Sequence, residues 1–478
     1  MMSSVPTWAG ACLRSTAARL AVAALTAISL AGCGSLVRGV QGSYQGLVNS
    51  EWFWHGRHGA LTEKELAWAT TAWRYVERNT QADSGLVGAI DGYPGFTMTN
   101  LAEYLAALNS AYRFSLVEEK EFDERLSAVL EFLNEMDLVG AGLPNRSYHA
   151  ATGDMVDYGL QPAQVGWSAL ELGRLLIWLN YYRRHYPRFA EYIDKAVLRW
   201  DFCGLLDDDG SLIGGRRTES GWQRYQEGRL GYEEYATYGY YLWGFDPARA
   251  DRLEPFEVRR FYRLPLLVDG RDPREDGVIA PLVPTPYWYA GMEFNWDNWG
   301  DKESGDTHHS RPHLAEQAKN LYLIQERRWQ EDALYTARAE HLMSEPPYFV
   351  YDAIFGLGSP FPTLDDQGNF HDDDAMVATK AVFMMWVLWN REYTDRLMAV
   401  TEHLYDAERG WYEGRWERSA GYEQVFSLST NAAVLQALLY KVEGKLFRQP
   451  PPISRLERVR GDEFIHPGRC QPYSENTP

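Results

Sequence analysis

The segment Pro286–Trp299, Pro-Tyr-Trp-Tyr-Ala-Gly-Met-Glu-Phe-Asn-Trp-Asp-Asn-Trp, interleaves aromatic rings with carboxylates and amides more densely than any other stretch of the chain. Flat rings stack on the C–H faces of sugars, while nearby acids and amides hold hydroxyls. Trp222, Tyr225, Tyr287, Trp288, Tyr289, Trp296, Trp299, Trp411 and Trp416 are candidates for such a lining, with Asn100, Tyr158 and Asp352 as polar contacts. Among 18 Trp and 30 Tyr, any single ring is more simply core filling, so the density of this one segment carries the signal.

Carboxylates are spaced for the chemistry such a lining would serve. Cleaving a glycosidic bond needs one protonated carboxyl beside the leaving oxygen and one carboxylate for water or the anomeric carbon. Glu233 and Glu234, in Gly231-Tyr-Glu-Glu-Tyr-Ala, stand at the start of an apolar helix among aromatics that would raise a carboxyl pKa by desolvation. Asp91, Asp157, Asp297 and Asp352 lie in other loops and are alternative partners; sequence cannot choose among them. Capping, loop hydrogen bonds and plain solvation compete for each acid.

Other chemistries have less support. Asp207-Asp208-Asp209-Gly210 and Asp372-Asp373-Asp374 lack the spacing of a calcium loop, and His309 and His313 lack the intervening Glu of a zinc protease. No metal and no cofactor is expected. The chain has no phosphate-binding glycine loop and no nucleophile elbow. Its net charge of −19 argues against nucleic acid as a partner.

What must position these residues is helical. Phe122, Leu126, Val129 and Leu133 share one face, as do Val165, Ala169, Leu172, Leu176 and Leu179. The spacing returns in Phe189, Ile193, Ala196 and Trp200, and again in Tyr393, Leu397, Val400 and Leu404. Thr62 and Glu65 form a capping-box pair, and Asp246-Pro247 predicts another helix start. Longer Gly-, aromatic- and acid-rich segments recur at Asp83–Pro94, Gly142–Asp157, Asp207–Tyr225, Gly270–Asp301, Pro347–Asp374 and Gly410–Gln424. Each precedes an apolar helix. The rhythm predicts an all-α fold: about twelve helices in six hairpins closing into an (α/α) toroid, with loops and short β-hairpins gathered at one mouth. Ala381–Trp389 and Ala432–Tyr440, apolar nearly all round, are expected inner helices.

The N-terminus has a different design. Arg14 and Arg19 precede an uncharged run from Leu20 to Leu30, too short to span a bilayer, that ends at Leu30-Ala31-Gly32-Cys33. This is the pattern of a lipoprotein signal, with Cys33 as the lipid-bearing residue; Gly34 in place of Asp fits outer-membrane sorting and a periplasmic location. The expected organisation is signal 1–32, tether 33–60, toroid 61–447 and irregular tail 448–478. Cys203 and Cys470 remain either as one disulfide or as two thiols.

Several motifs resemble known proteins over Glu65–Lys445. Thr97-Met-Thr-Asn-Leu-Ala-Glu-Tyr-Leu is similar to the start of the first inner helix in glucoamylase-like six-hairpin domains, including those of beta-1,2-glucan enzymes. Leu143-Pro-Asn145, Gly166-Trp-Ser-Ala-Leu-Glu-Leu-Gly-Arg-Leu-Leu176, Glu345-Pro-Pro-Tyr-Phe-Val-Tyr-Asp352, Thr379-Lys-Ala-Val-Phe383 and Ser429-Thr-Asn-Ala-Ala-Val-Leu435 resemble an uncharacterised family of exported bacterial proteins. The resemblance implies the toroid and a polysaccharide or oligosaccharide ligand. Relatives tend to carry Asp where this chain has Glu171 and Asn where it has Ser429. Three readings follow: a lipid-anchored glycoside hydrolase, a non-catalytic glycan-binding subunit of an envelope or polysaccharide-secretion complex, and a polysaccharide lyase.

Overall fold

The computed structural model describes residues 55–448, apart from 141, 254, 272–278 and 300–308. The elements below all belong to the unit Gly56–Pro478. The signal, most of the tether and tail, Cys33 and Cys470 lie outside the described residues. Cys203 is disulfide-bonded, which removes it from the two-thiol alternative.

Eleven α-helices form among the described residues: α1 (Glu63–Asn79), α2 (Met98–Arg113), α3 (Glu119–Glu135), α4 (Ala169–His185), α5 (Ala190–Leu198), α6 (Tyr232–Leu242), α7 (Thr285–Phe294), α8 (Pro312–Asp332), α9 (Thr379–Leu388), α10 (Glu392–Thr401) and α11 (Leu428–Glu443). Local chemistry sets several starts. Thr62 and Glu65 make the reciprocal capping box expected for α1, although Leu66 beside them stays exposed. Thr97 and Asn100 do the same for α2. Val165 precedes α4 rather than continuing its stripe, since Gly166–Trp167 is a strand.

The helices α2, α4, α6, α7, α9 and α11 pack in that order, and α11 returns against α2 to close a ring. Every residue of α9 is buried, as its unbroken apolar sequence requires. The tightest crossing is between α4 and α6. A Cβ on Gly239 would lie 2.0 Å from the Gly173 carbonyl oxygen, and one on Gly173 would lie 2.7 Å from the Ala236 carbonyl oxygen. Only glycine lets these two backbones touch, and the contact turns Arg174, the next residue, toward the ring axis.

Two expectations need correction. Among the described residues no outer helix follows α6: the stretch after Asp246-Pro247 makes a single turn, with Asp251 N–H donating to the Pro247 carbonyl at 2.9 Å. Asp251 is instead drawn to Arg311, which pairs with its carboxylate, and to Thr237 and Tyr241. Strands are also more numerous than helical periodicity suggested, with eighteen short ones among the described residues. Most have two to six residues, too few for alternation to show in sequence. They build antiparallel hairpins such as Ile213–Thr218 with Gly221–Gln226, onto which Gly166–Trp167 pairs. The molecule is therefore a helical ring with β-rich loops rather than strictly all-α.

Candidate active site

The N-terminal turns of the six inner helices meet side by side. From α2, Asn100 Nδ2 donates to Glu103 at 3.0 Å. From α4, Arg174 donates to the Tyr235 hydroxyl of α6 at 2.8 Å and lies 3.6 Å from the ring centroid of Tyr289 on α7. Lys380 of α9 reaches Ser429 of α11 at 3.1 Å and Glu340 at 3.6 Å. Thr285 of α7 donates to the other oxygen of Glu340 at 2.7 Å. Glu103 is buried, which pushes its carboxyl up, while Arg174, Lys380, Asn100 and Ser429 pull it back.

Glu171 stands at one wall of this mouth. It occupies the third position of α4, after Ser168, whose hydroxyl accepts the Glu171 N–H at 3.2 Å. The Ser-x-x-Glu spacing suggests a capping box, yet the Glu171 carboxylate turns away from Ser168 and accepts the N–H of Thr99 at 3.4 Å. Burial pushes the Glu171 carboxyl up to about 7, against the pull of Arg146 and with a further push from Glu227. Arg146 binds Glu227 at 2.8 Å and donates to the Tyr225 hydroxyl. The other oxygen of Glu227 accepts the Ala169 N–H at 2.6 Å, so this acid also caps α4. Tyr158, exposed toward the mouth, has its phenol within electrostatic reach of Glu171 and Arg146.

Several residues named from sequence are brought to this place. Asn100, Tyr158 and Tyr225 line it, and Trp222 sits on the Tyr225 hairpin against Trp167, with ring centroids 5.4 Å apart. The others are engaged elsewhere. Glu234 is fully buried, accepts the Gly231 N–H and lies against Tyr287. Glu233 accepts Gln226 Nε2 at 3.1 Å and the Leu212 N–H at 3.4 Å. Adjacent helix positions differ by about 100° in direction, so tandem acids cannot both face one axis. Asp297 follows the C-terminal end of α7, the end away from the mouth, where it holds Lys445 at 2.8 Å. Asp91 is clamped by Arg78 at 3.0 Å and Arg409 at 2.6 Å; burial would raise its carboxyl, but these two partners hold it below the usual range.

Asp352 is buried between Arg338, Thr363 and the Met376 N–H. Tyr287, Trp288, Trp296 and Trp411 are core side chains: Trp288 packs edge-on against Trp389 at 4.8 Å, Trp296 donates to the Tyr287 carbonyl, and Trp411 donates to that of Trp68. Sequence reasoning passed over Arg146, Glu227, Glu340 and Lys380. Their signal was only positional: Arg146 lies inside the Gly142–Asp157 segment, Glu227 just after Asp207–Tyr225, Glu340 just before Pro347–Asp374, and Lys380 in the first turn of α9. Glu171 was marked as a departure from relatives, and that departure falls in the mouth.

The closed ring of inner helices is a fold that this chain shares with solved glucoamylase-like and glucanase structures. Among solved structures, a candidate glucoamylase from Bacteroides caccae is similar over 81% of this chain and 95% of its own, with 12% identity and a TM-score of 0.58. An endo-beta-1,2-glucanase from Chitinophaga pinensis, in complex with sophorotriose and glucose, matches over 81% and 95%, with 14% identity and a TM-score of 0.57. An endo-beta-1,2-glucanase from Talaromyces funiculosus, in complex with beta-1,2-glucan, matches over 80% and 84%, with 10% identity and a TM-score of 0.50. No curated protein matches the chain. Residues 67–444 match the model of a protein family of unknown function, DUF3131, and the chain belongs to that family. The family resemblance carried by the motifs is borne out.

Proposed function

We propose that the protein is a glycoside hydrolase acting on an exported or envelope glucan or related exopolysaccharide, with Glu171 as the proton donor. The observation that carries this reading is the state of Glu171: a carboxyl at the open mouth of the ring, held near neutrality by burial in spite of Arg146. A general acid works best with a pKa near the operating pH. Glu340 is the partner carboxylate in this reading. It is bonded to Thr285 and paired with Lys380 of α9, and α9 stands three places from α4 in a ring of six. Support for a sugar substrate comes from the tyrosines around both acids and from the likeness of the fold to glucanases. A complete six-hairpin toroid is the plan that the closed inner ring favours.

The test is release of reducing ends from a panel of bacterial glucans and exopolysaccharides, neutral and acidic, that includes beta-1,2-glucan. The wild type should act on at least one. Glu171→Gln and Glu340→Gln should each lose about a hundredfold or more; an active wild type with an equally active Glu171→Gln removes Glu171 as the acid. Retention of glycan by the wild type without any release would favour a binding subunit.

The same reading puts the protein on the envelope through a lipid on Cys33, at the periplasmic face of an outer membrane. Support is the Leu-Ala-Gly-Cys sequence, and no helix of the described residues is long and apolar enough to cross a membrane. Cys33→Ala should abolish palmitate labelling and release the protein from the membrane fraction.

A further inference from the structure

Among the described residues four cations reach the mouth of a chain whose net charge is −19. Three of them have a carboxylate at ion-pair distance: Arg146 has Glu227 at 2.8 Å, Arg174 has Glu293 at 3.9 Å and Lys380 has Glu340 at 3.6 Å. Arg229 is the exception. Its guanidinium lies between two aromatic rings, 5.2 Å from the centroid of Tyr232 and 5.5 Å from that of Tyr351, with the Tyr351 phenol within electrostatic reach. No carboxylate stands at ion-pair distance from it among the described residues.

The position is as informative as the missing partner. Tyr232 is the first residue of α6, at the mouth, and its phenol lies within electrostatic reach of Glu340. Arg229 therefore sits one side chain away from the carboxylate assigned to the reaction and is half-buried. A guanidinium sandwiched by rings is fixed in orientation, and its planar fork of N–H donors matches a carboxylate in two parallel hydrogen bonds. Holding a cation part-way out of water without a counter-ion is costly, and a ligand that brings the anion recovers that cost. A site for neutral sugar alone has no need of it, because tyrosines and carboxylates already satisfy hydroxyls.

We propose that the mouth recognises an acidic glycan, and that Arg229 binds the carboxylate of a uronate unit at a position next to the cleaved linkage. This deepens the hydrolase reading and rests on it, since it requires the mouth to be a glycan site. It assigns the substrate class as a uronate-containing exopolysaccharide rather than a neutral glucan.

The experiment compares each acidic glycan with its own carboxyl-reduced form, in which uronates have become neutral hexoses. Oligosaccharides of gellan, xanthan and alginate, native and reduced, would be titrated by calorimetry at fixed ionic strength. The full chain carrying Glu171→Gln prevents turnover. At least one native oligosaccharide should bind tenfold or more tightly than its reduced counterpart. Arg229→Gln should bring that ratio to about one, and Arg229→Lys, which keeps the charge and guards against a folding defect, should retain a several-fold preference. Equal binding of native and reduced forms, or an undiminished preference in Arg229→Gln, overturns the proposal while leaving a glycan site intact. Binding to none of these glycans, native or reduced, and to no neutral glucan overturns the proposal together with the glycan reading beneath it.

Discussion

Arg146 and Glu227 meet at 2.8 Å, and the pair governs the carboxyl of Glu171 beside it. Arg146 draws that carboxyl toward its ionised form, whereas Glu227 opposes ionisation. Glu227 is in turn fixed by the Ala169 N–H at the start of the helix that carries Glu171. The electrostatics and the position of the candidate acid thus share one anchor.

Changing either member of the pair should move activity along the pH axis in opposite directions. In Arg146→Met the Glu171 carboxyl loses the cation that favours its ionised form, so the alkaline limb of kcat/KM should shift upward by about one pH unit. In Glu227→Gln it loses a repelling charge and the limb should shift downward. Profiles measured between pH 4 and 10 decide the matter, and shifts of the same sign in both variants contradict the assignment.

Stability should register Glu171 as well. Its folded pKa, about 7, lies above the ordinary value of 4.5. The folded state therefore holds the proton more tightly, and this contribution is complete below about pH 4.5 and lost as pH rises through 7. Thermal unfolding of Glu171→Gln should match the wild type near pH 4 and exceed it at pH 8. A variant that is less stable at pH 8 would mean that the carboxylate makes contacts the fold depends on.

Glu234→Gln and Asp352→Asn should weaken the fold without touching the chemistry. Each carboxylate accepts a backbone N–H in the interior, from Gly231 and Met376 respectively, and a charge-assisted hydrogen bond of this kind is worth about 1.5 to 3 kcal/mol. Activity per folded molecule should remain within about threefold of wild type, on the order of 0.6 kcal/mol in barrier height. A loss of kcat at unchanged unfolding temperature would return either residue to the site.

The largest loss of stability is expected at Arg338, almost wholly buried between Asp352 and Glu417, which it holds at 3.4 Å and 2.9 Å. Arg328 shares Glu417 at 2.6 Å. Replacing Arg338 by Met leaves Asp352 short of a counter-ion in the interior and should cost about 3 to 5 kcal/mol. Denaturant midpoints measure this directly; a loss below about 1 kcal/mol would show that the cluster tolerates an uncompensated acid.

The amino-acid order alone specified much of the scaffold. Thr62 with Glu65 and Thr97 with Asn100 fixed helix starts, and the unbroken apolar run of α9 declared an inner helix, because capping and burial depend on neighbours within one or two turns. Glu171 was visible too, as a departure from relatives. Which acids face one another could not be legible in this way. Glu233 and Glu234 are conspicuous in sequence, but each is taken by its own surroundings away from the mouth. Arg146, Glu171, Glu227 and Glu340 come from separate segments and have no shared pattern. Their meeting depends on ring closure and on the Gly173–Gly239 crossing of α4 and α6. Desolvation and charge coupling act through space over a few ångströms, so only the tertiary arrangement could decide which carboxyl keeps its proton.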